Sequence, residues 1–122
     1  MTGCVLSDLR VVEFSEGIAG AFCCKLLAER GAEVIKVERP GVGDHTRWAG
    51  PFPASRADPE SSALFMHLNT AKKSVTLDLS TGDGRTHLRH LMAGADVFVE
   101  SAPPGWMGSL GLAYDDLKAD SP

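Results

Sequence analysis

Four short stretches carry the side chains that could hold or transform a ligand: "SEGIAG" (15–20), "ERPGVGD" (38–44), "DLS" (78–80) and "ESAPPG" (100–105). In the first, Gly17 and Gly20 open a predicted helix, where free N–H groups and the helix dipole favour an anion. Their spacing is G-x-x-G, not the dinucleotide-binding G-x-G-x-x-G, so a tight strand-to-helix turn explains them as well. In the second, Glu38 lies about twenty residues after Gly17, where a dinucleotide-binding fold keeps its ribose acid. Arg39 beside it has a guanidinium that can grip a phosphate and stack on a base. Pro40 holds Arg39 extended and aims it outward from a strand end, the alternative being a solvated charge at a turn. Asp44 and Arg47 are expected to pair at the surface, for little gain.

The remaining reactive side chains form no recognisable constellation. Lys72 and Lys73 read as a solvated turn that could add positive potential to a neighbouring site. His45, His67, His87 and His90 lack metal-ligand spacing; His87 and His90 stand three apart on a helix, and surface placement is expected for them. Three cysteines, Cys4 and the adjacent Cys23 and Cys24, fit neither a disulfide framework nor a zinc pattern, and Cys23 is expected as a buried structural thiol. No Ser-His-Asp or Cys-His arrangement is present. Trp106 and Met107 are expected to pack locally.

The elements that must position these residues alternate. "LRVVEFS" (9–15) is a short β-branched run and predicts a strand. "GIAGAFCCKLLAERG" (17–31) follows as a helix, with Ala19, Phe22, Cys23, Leu26 and Leu27 as its inward stripe, Lys25 and Glu29 on the outer face and Gly31 as its stop. "EVIKVE" (33–38) is the second strand, closing a right-handed β-α-β unit with parallel strands. After a polar loop, "SSALFMHLN" predicts a short buried helix and "SVTLDL" a third strand with Val75, Leu77 and Leu79 on one face. Ser80 and Asp83 read as a capping box for a helix whose inward stripe is Leu88, Leu91, Met92 and Ala95. "DVFVES" is the fourth strand, "APPGWMGSLGL" a loop or broken turn, and "YDDLKADSP" a helix ended by Pro122. The pattern predicts one α/β domain over 1–122: an open sheet of about four mainly parallel strands with flanking helices. All four reactive stretches then lie on one rim, beyond the carboxyl ends of the strands.

Composition removes several classes of function. A net charge of -4 supplies no basic surplus for nonspecific nucleic-acid binding. No apolar run is long enough to span a bilayer, and "MTGCVLSDLR" lacks the pattern of a signal peptide, so a cytoplasmic protein is expected.

Three blocks, "LSDLRVVEFSEGIAGAFCCKLLAERGAEVIKVERPGVGDHTR", "LNTAKKSVTLDL" and "ADVFVESAPPGWMGSLGLAYDDL", in this order and spacing resemble the amino-terminal part of the class III CoA-transferases, the CaiB/BaiF family, which includes formyl-CoA transferase, carnitine CoA-transferase and α-methylacyl-CoA racemase. The resemblance covers nearly the whole chain. It implies a Rossmann-like domain that binds coenzyme A or acyl-CoA, without a metal, in an interlaced homodimer. By position it implies CoA contacts at Ile18 and Ala19, at Arg39 for the nucleotide end, and along Leu77, Asp78 and Leu79. Two departures stand out. Family members usually read Glu-Asn-Phe-Arg-Pro-Gly where this chain has Glu100-Ser101-Ala102-Pro103-Pro104-Gly105, and a further basic contact falls at Ser109. Family members are also several times longer. The aspartate whose attack on the thioester gives a mixed anhydride and then an aspartyl-CoA thioester, like the His and Asp pair of the racemases, lies beyond the point matching Pro122.

The resemblance therefore implies a CoA-binding amino-terminal portion, a fragment or truncated member, with no catalytic residue of its own and no activity alone. It would belong to a homo-oligomer or to an assembly whose second subunit supplies the missing half. If it is a fragment, an uncovered sheet edge and apolar helix faces are expected to drive oligomerisation or poor solubility. The rival readings are a free-standing, degenerate nucleotide-binding or subunit-interaction module, a portion of a racemase, and an NAD-type domain using Glu38 for ribose.

Overall fold

The β-branched runs around Val11, Val12 and Val34 form the two central strands of a parallel sheet. In the computed structural model, which describes residues 3–120, the strands are β1 (Arg10–Phe14), β2 (Glu33–Glu38), β3 (Lys73–Thr76) and β4 (Val97–Glu100). They run in the order β3-β2-β1-β4, with every neighbouring pair parallel. This is the expected α/β sheet, and its order is the one in which doubly wound sheets begin. Because the strands are parallel, Phe14, Glu38, Thr76 and Glu100 end on the same rim, with Glu38 level with Thr76 and Phe14 level with Glu100.

Helices cover both faces. Val11 and Val34 point to one side, where they pack with Cys24, Ala28 and Ala32 of α1 (Ala19–Glu29) and the turn after it. Val12 and Val37 point to the other, into a larger core with Leu79, with Leu88 and Met92 of α3 (Gly82–Met92), and with Met107 and Leu117. Adjacent valines in one strand thus feed opposite cores, as the alternation of a strand requires. The α3 stripe is as expected, although its cap is Thr81, whose hydroxyl accepts from the Gly84 N–H at 3.0 Å, instead of Ser80. The remaining helices are short: α2 (Ala63–Leu68), α4 (Trp106–Ser109) and α5 (Tyr114–Leu117), with a single 3-10 turn at His45–Trp48. Pro122, expected to end the last helix, lies outside the described residues.

The buried face of α1 differs from the one its apolar spacing predicts. Ala21, Cys24, Lys25 and Ala28 are buried, and of the predicted stripe only Leu27 packs against the same core, whereas Ala19, Phe22, Cys23 and Leu26 are exposed, as is Ile18 just before the helix. The helix carries two overlapping apolar faces, and the one with small side chains wins because it lets the helix lie close against the sheet. Lys25 is compatible with that face because its stem packs while its ammonium reaches Glu29. Cys23 is therefore an exposed thiol. Cys24 is the buried one, its pKa pushed up to about 12 by burial and then by Glu13.

This inversion separates two substitutions that the sequence pattern would treat alike. Leu88→Ala is expected to lower unfolding free energy by about 2–5 kcal/mol through cavity formation. Leu26→Ser should stay within about 0.5 kcal/mol of the parent. Urea unfolding of both variants checks this; an equally large loss for Leu26→Ser would restore the predicted face.

Candidate functional site

The rim is organised around four charged side chains with almost no exposure. Glu13 and Lys36 occupy level positions in β1 and β2, and Lys36 Nζ lies 2.8 Å from Glu13 Oε1 and 2.9 Å from Asp44 Oδ2. Lys72 Nζ approaches Glu13 Oε2 at 2.7 Å. Further bonds tie these groups to the rim: Lys36 donates to the Ser15 carbonyl, and Lys72 to the Ala21 carbonyl and the Asn69 side-chain Oδ1. Asp44 Oδ1 accepts from the N–H of Gly17 and from both the N–H and hydroxyl of Thr46. Two carboxylates and two ammonium groups thus tie the turn after β1, the loop after β2, the start of α1 and the turn before β3 into one block. Burial opposes the charge on Lys36, yet Glu13 and Asp44 hold its pKa above the ordinary lysine value. Burial lowers that of Lys72 despite Glu13. Burial raises that of Asp44, but the Thr46 N–H and Lys36 bring it below the ordinary value.

The glycines of the first stretch serve this geometry. Gly17 has φ +84, and a Cβ on Gly20 would stand 2.6 Å from that of Ser15, so both are needed for the sharp entry into α1. The turn reading accounts for them without a ligand.

Asp44 and Arg47, expected to pair at the surface, have different partners. Arg47 crosses to Glu38, with Nε and Nη2 at 2.7 and 2.8 Å from its two carboxylate oxygens, and lies over the ring of Phe65. Glu38 also accepts from the Asp44 N–H and the Ser74 hydroxyl. Burial alone would raise its pKa, but Arg47 and these donors outweigh it and lower the value. So engaged, Glu38 has no carboxylate oxygen to offer a ribose, which removes the NAD-type reading. Lys72, expected as a solvated turn, is buried in the network, while Lys73 is exposed and pairs with Glu33.

Arg39 is the rim cation that faces open space. Its side chain is half exposed and makes a two-pronged pair with Glu16, Nε to Oε1 at 2.7 Å and Nη2 to Oε2 at 3.1 Å. It forms the ridge between two clefts. One, of about 270 Å³, is lined by Phe14, Glu16, Arg39, Ser101, Ala102, Pro103 and Trp106, between the ends of β1 and β4. That is where the strand order reverses, the usual ligand position of an open α/β sheet. Trp106 stacks on Phe14, with ring centroids 5.7 Å apart, and gives this cleft an aromatic wall. The other, of about 250 Å³, runs between β2 and β3 past Gly43, Arg47 and Ser74. A larger cavity of about 520 Å³ lies along the open edge of β4 against α4 and α5. Its wall is largely apolar, with Asp96, Glu100 and Lys118 as its charged members, and neither Arg39 nor the buried charge network lines it.

The other residues assigned by resemblance are placed less centrally. Ile18 and Ala19 are exposed at the start of α1, whose first turn has no side-chain cap. Leu77, Asp78 and Leu79 line neither cleft: Leu79 is buried, Leu77 packs against the larger core, and exposed Asp78 accepts from the N–H and hydroxyl of Ser80. The residues missed from sequence are Phe14, Glu16 and Trp106 in the cleft and Glu13, Lys36 and Lys72 beneath it. Charged residues at interior positions of "VVEFS" and "VIKVE", strands that must be buried on both faces, were the available signal. Among the described residues no three His, Cys, Asp or Glu side chains converge to hold a metal ion, and no helix is long and apolar enough to cross a membrane.

Comparison with known proteins identifies the family. The model of CoA-transferase family III matches residues 6–122. The chain belongs to CoA-transferase family III. Among its relatives, human succinyl-CoA:glutarate CoA-transferase is 36% identical over 118 residues, 96% of this chain and 26% of that protein. Succinyl-CoA:mesaconate CoA-transferase of Haloarcula hispanica is 38% identical over 117 residues, 96% of this chain and 29% of the relative. Of solved family structures, a CaiB/BaiF protein from Brucella suis superposes with a TM-score of 0.86 at 40% identity, over 97% of this chain and 31% of that one. Rv3272 from Mycobacterium tuberculosis gives a TM-score of 0.85 at 38% identity, over 98% and 32%. The chain thus spans between a quarter and a third of the length of these CoA-transferase family III members.

Two stability measurements follow from the buried network. Lys36→Met removes the buried ammonium that Glu13 and Asp44 share, leaving two buried carboxylates with one cation, Lys72, between them, and is expected to cost about 3–5 kcal/mol in urea unfolding. Because the folded pKa values of Asp44 and Glu38 are depressed, their contribution is complete above the ordinary carboxylate range near about pH 4 and is lost as pH falls through the lower folded values. Unfolding at stepped pH should show this acid limb, made shallower by Asp44→Asn. An unchanged limb would exclude Asp44 as a source.

Proposed function

We propose that this chain is the CoA-binding portion of a class III CoA-transferase, holding the nucleotide end of coenzyme A or an acyl-CoA in the cleft between β1 and β4. The observation that carries the reading is the convergence of an exposed guanidinium, Arg39, with the Phe14 and Trp106 wall at the point where the strand order reverses. A guanidinium supplies charge-assisted hydrogen bonds to a phosphate, and an aromatic wall supplies apolar area beside it. Ile18 and Ala19 contribute through backbone at the uncapped start of α1. Leu77 and Leu79 are left only backbone groups to offer, and Asp78 a side chain already bonded to Ser80. The names of the relatives, both succinyl-CoA-dependent transferases, support transfer of CoA between carboxylic acids as the reaction of the longer proteins. Ser101 to Pro103, which line the cleft without a charge, mean that CoA is held with fewer cations than the family pattern provides.

Titration calorimetry of the 122-residue chain with CoA tests this. Arg39→Met is expected to weaken binding by about 10- to 150-fold, the loss of a charge-assisted hydrogen bond of roughly 1.5–3 kcal/mol. Equal affinity in parent and variant would contradict the anchor role. The same chain mixed with succinyl-CoA and glutarate should form no glutaryl-CoA; turnover abolished by Arg39→Met would show that the chemistry resides here after all.

A further inference from the structure

Arg39 meets a carboxylate where a ligand phosphate would have to sit. Glu16 takes the guanidinium with two parallel bonds. Among the described residues it is the only side-chain hydrogen-bond partner that Arg39 has. Every other residue lining the cleft, Phe14, Ser101, Ala102, Pro103 and Trp106, is uncharged. The cleft therefore holds one cation and one anion, and they cancel each other.

The neighbouring arginine shows what a permanent pair looks like here. Arg47 and Glu38 have side-chain exposures of 17% and 4%, and Glu38 is further fixed by the Asp44 N–H and the Ser74 hydroxyl. Arg39 and Glu16 have exposures of 50% and 33%. A pair so solvated contributes little net free energy and exchanges partners readily. Glu16 has somewhere to go as well. His45 Nδ1 lies 3.5 Å from its Oε2, the oxygen that also accepts from Arg39 Nη2.

We propose that Glu16 is an internal counter-ion that a phosphoryl group displaces from Arg39, so that it sets the cleft's selectivity for phosphorylated over unphosphorylated ligands. This rests on the reading that Arg39 receives the nucleotide end of CoA. In the free chain Glu16 keeps the guanidinium aligned in a two-pronged arrangement, so the anchor is ordered before ligand arrives. When a phosphoryl oxygen takes over those two N–H groups, Glu16 swings toward His45 and the carboxylate no longer opposes the incoming charge. A ligand with no phosphoryl group cannot drive the exchange and gains nothing from Arg39.

The test is calorimetric titration of the parent chain, Glu16→Gln, Glu16→Ala, Arg39→Met and the Glu16→Gln/Arg39→Met double variant with CoA, dephospho-CoA and pantetheine. Glu16→Gln should bind CoA about three- to tenfold more tightly, and pantetheine within about twofold of the parent. The gain should shrink in the Arg39→Met background. A gain for CoA alone assigns the displacement to the 3′-phosphate, and an equal gain for dephospho-CoA assigns it to the diphosphate; both support the exchange. CoA binding that depends on Arg39 but is unchanged or weaker in both Glu16 variants overturns the proposal and leaves the anchor reading intact, as does an equal gain for pantetheine. No CoA binding by any variant, or binding indifferent to Arg39→Met, overturns both.

Discussion

Lys36 puts an ammonium group at the centre of the rim with 1% of its side chain exposed, and the loops around it are arranged to make that tolerable. A charge removed from water costs several kcal/mol unless opposite charge and hydrogen bonds replace its hydration. Here the replacement comes from three separate segments: Glu13 on the next strand, Asp44 in the loop after β2, and the Ser15 carbonyl in the turn after β1. Lys72 closes the arrangement from the turn before β3. Any loop that moves away leaves a buried charge without its partner. Irregular segments that an apolar core could not grip are thereby held against the sheet.

The division between fixed and exchangeable charge gives the site its character. Glu13, Lys36, Lys72, Asp44 and the Arg47 and Glu38 pair are consumed by structure, although several stood in stretches that read as ligand-binding. What remains for a ligand is the half-exposed Arg39, poised between Glu16 and the cleft and backed by Phe14 and Trp106. A rigid base under a single adaptable cation is the arrangement on which the proposed recognition of a phosphorylated carrier rests. The exposed apolar side chains of α1, Phe22 and Leu26, and the open edge of β4 are surfaces of a domain that in its longer relatives is under a third of the protein.

Much of the fold was legible in the sequence. The β-branched runs, the turn glycines and the α3 stripe each reported a local preference that packing reinforced. The α1 face was not legible, because large apolar residues and small ones lie on adjacent faces and only the distance to the sheet decides between them. Nor were the charge pairings. Lys72 is separated from Glu13 by nearly half the chain, and nothing local distinguishes its solvated-looking "AKKS" context from a true surface turn. Asp44 and Arg47, three apart, look like natural partners, yet each reaches back instead to strand β2 or its end. Arg39 could be found because Pro40 and its place at a strand end constrain it locally. Glu16, its partner, could be found only from the fold.

The Lys36 network, and not the surrounding apolar core, is what holds the rim loops on the sheet. Native-state hydrogen exchange of the Gly17 and Thr46 amides, both donors to Asp44, tests it most directly in the parent chain and in Lys36→Met. Both amides are expected to lose protection in the variant by a clearly larger factor than the Val12 amide at the centre of β1. Unchanged protection of Gly17 and Thr46, or a loss no greater than that of Val12, would contradict it.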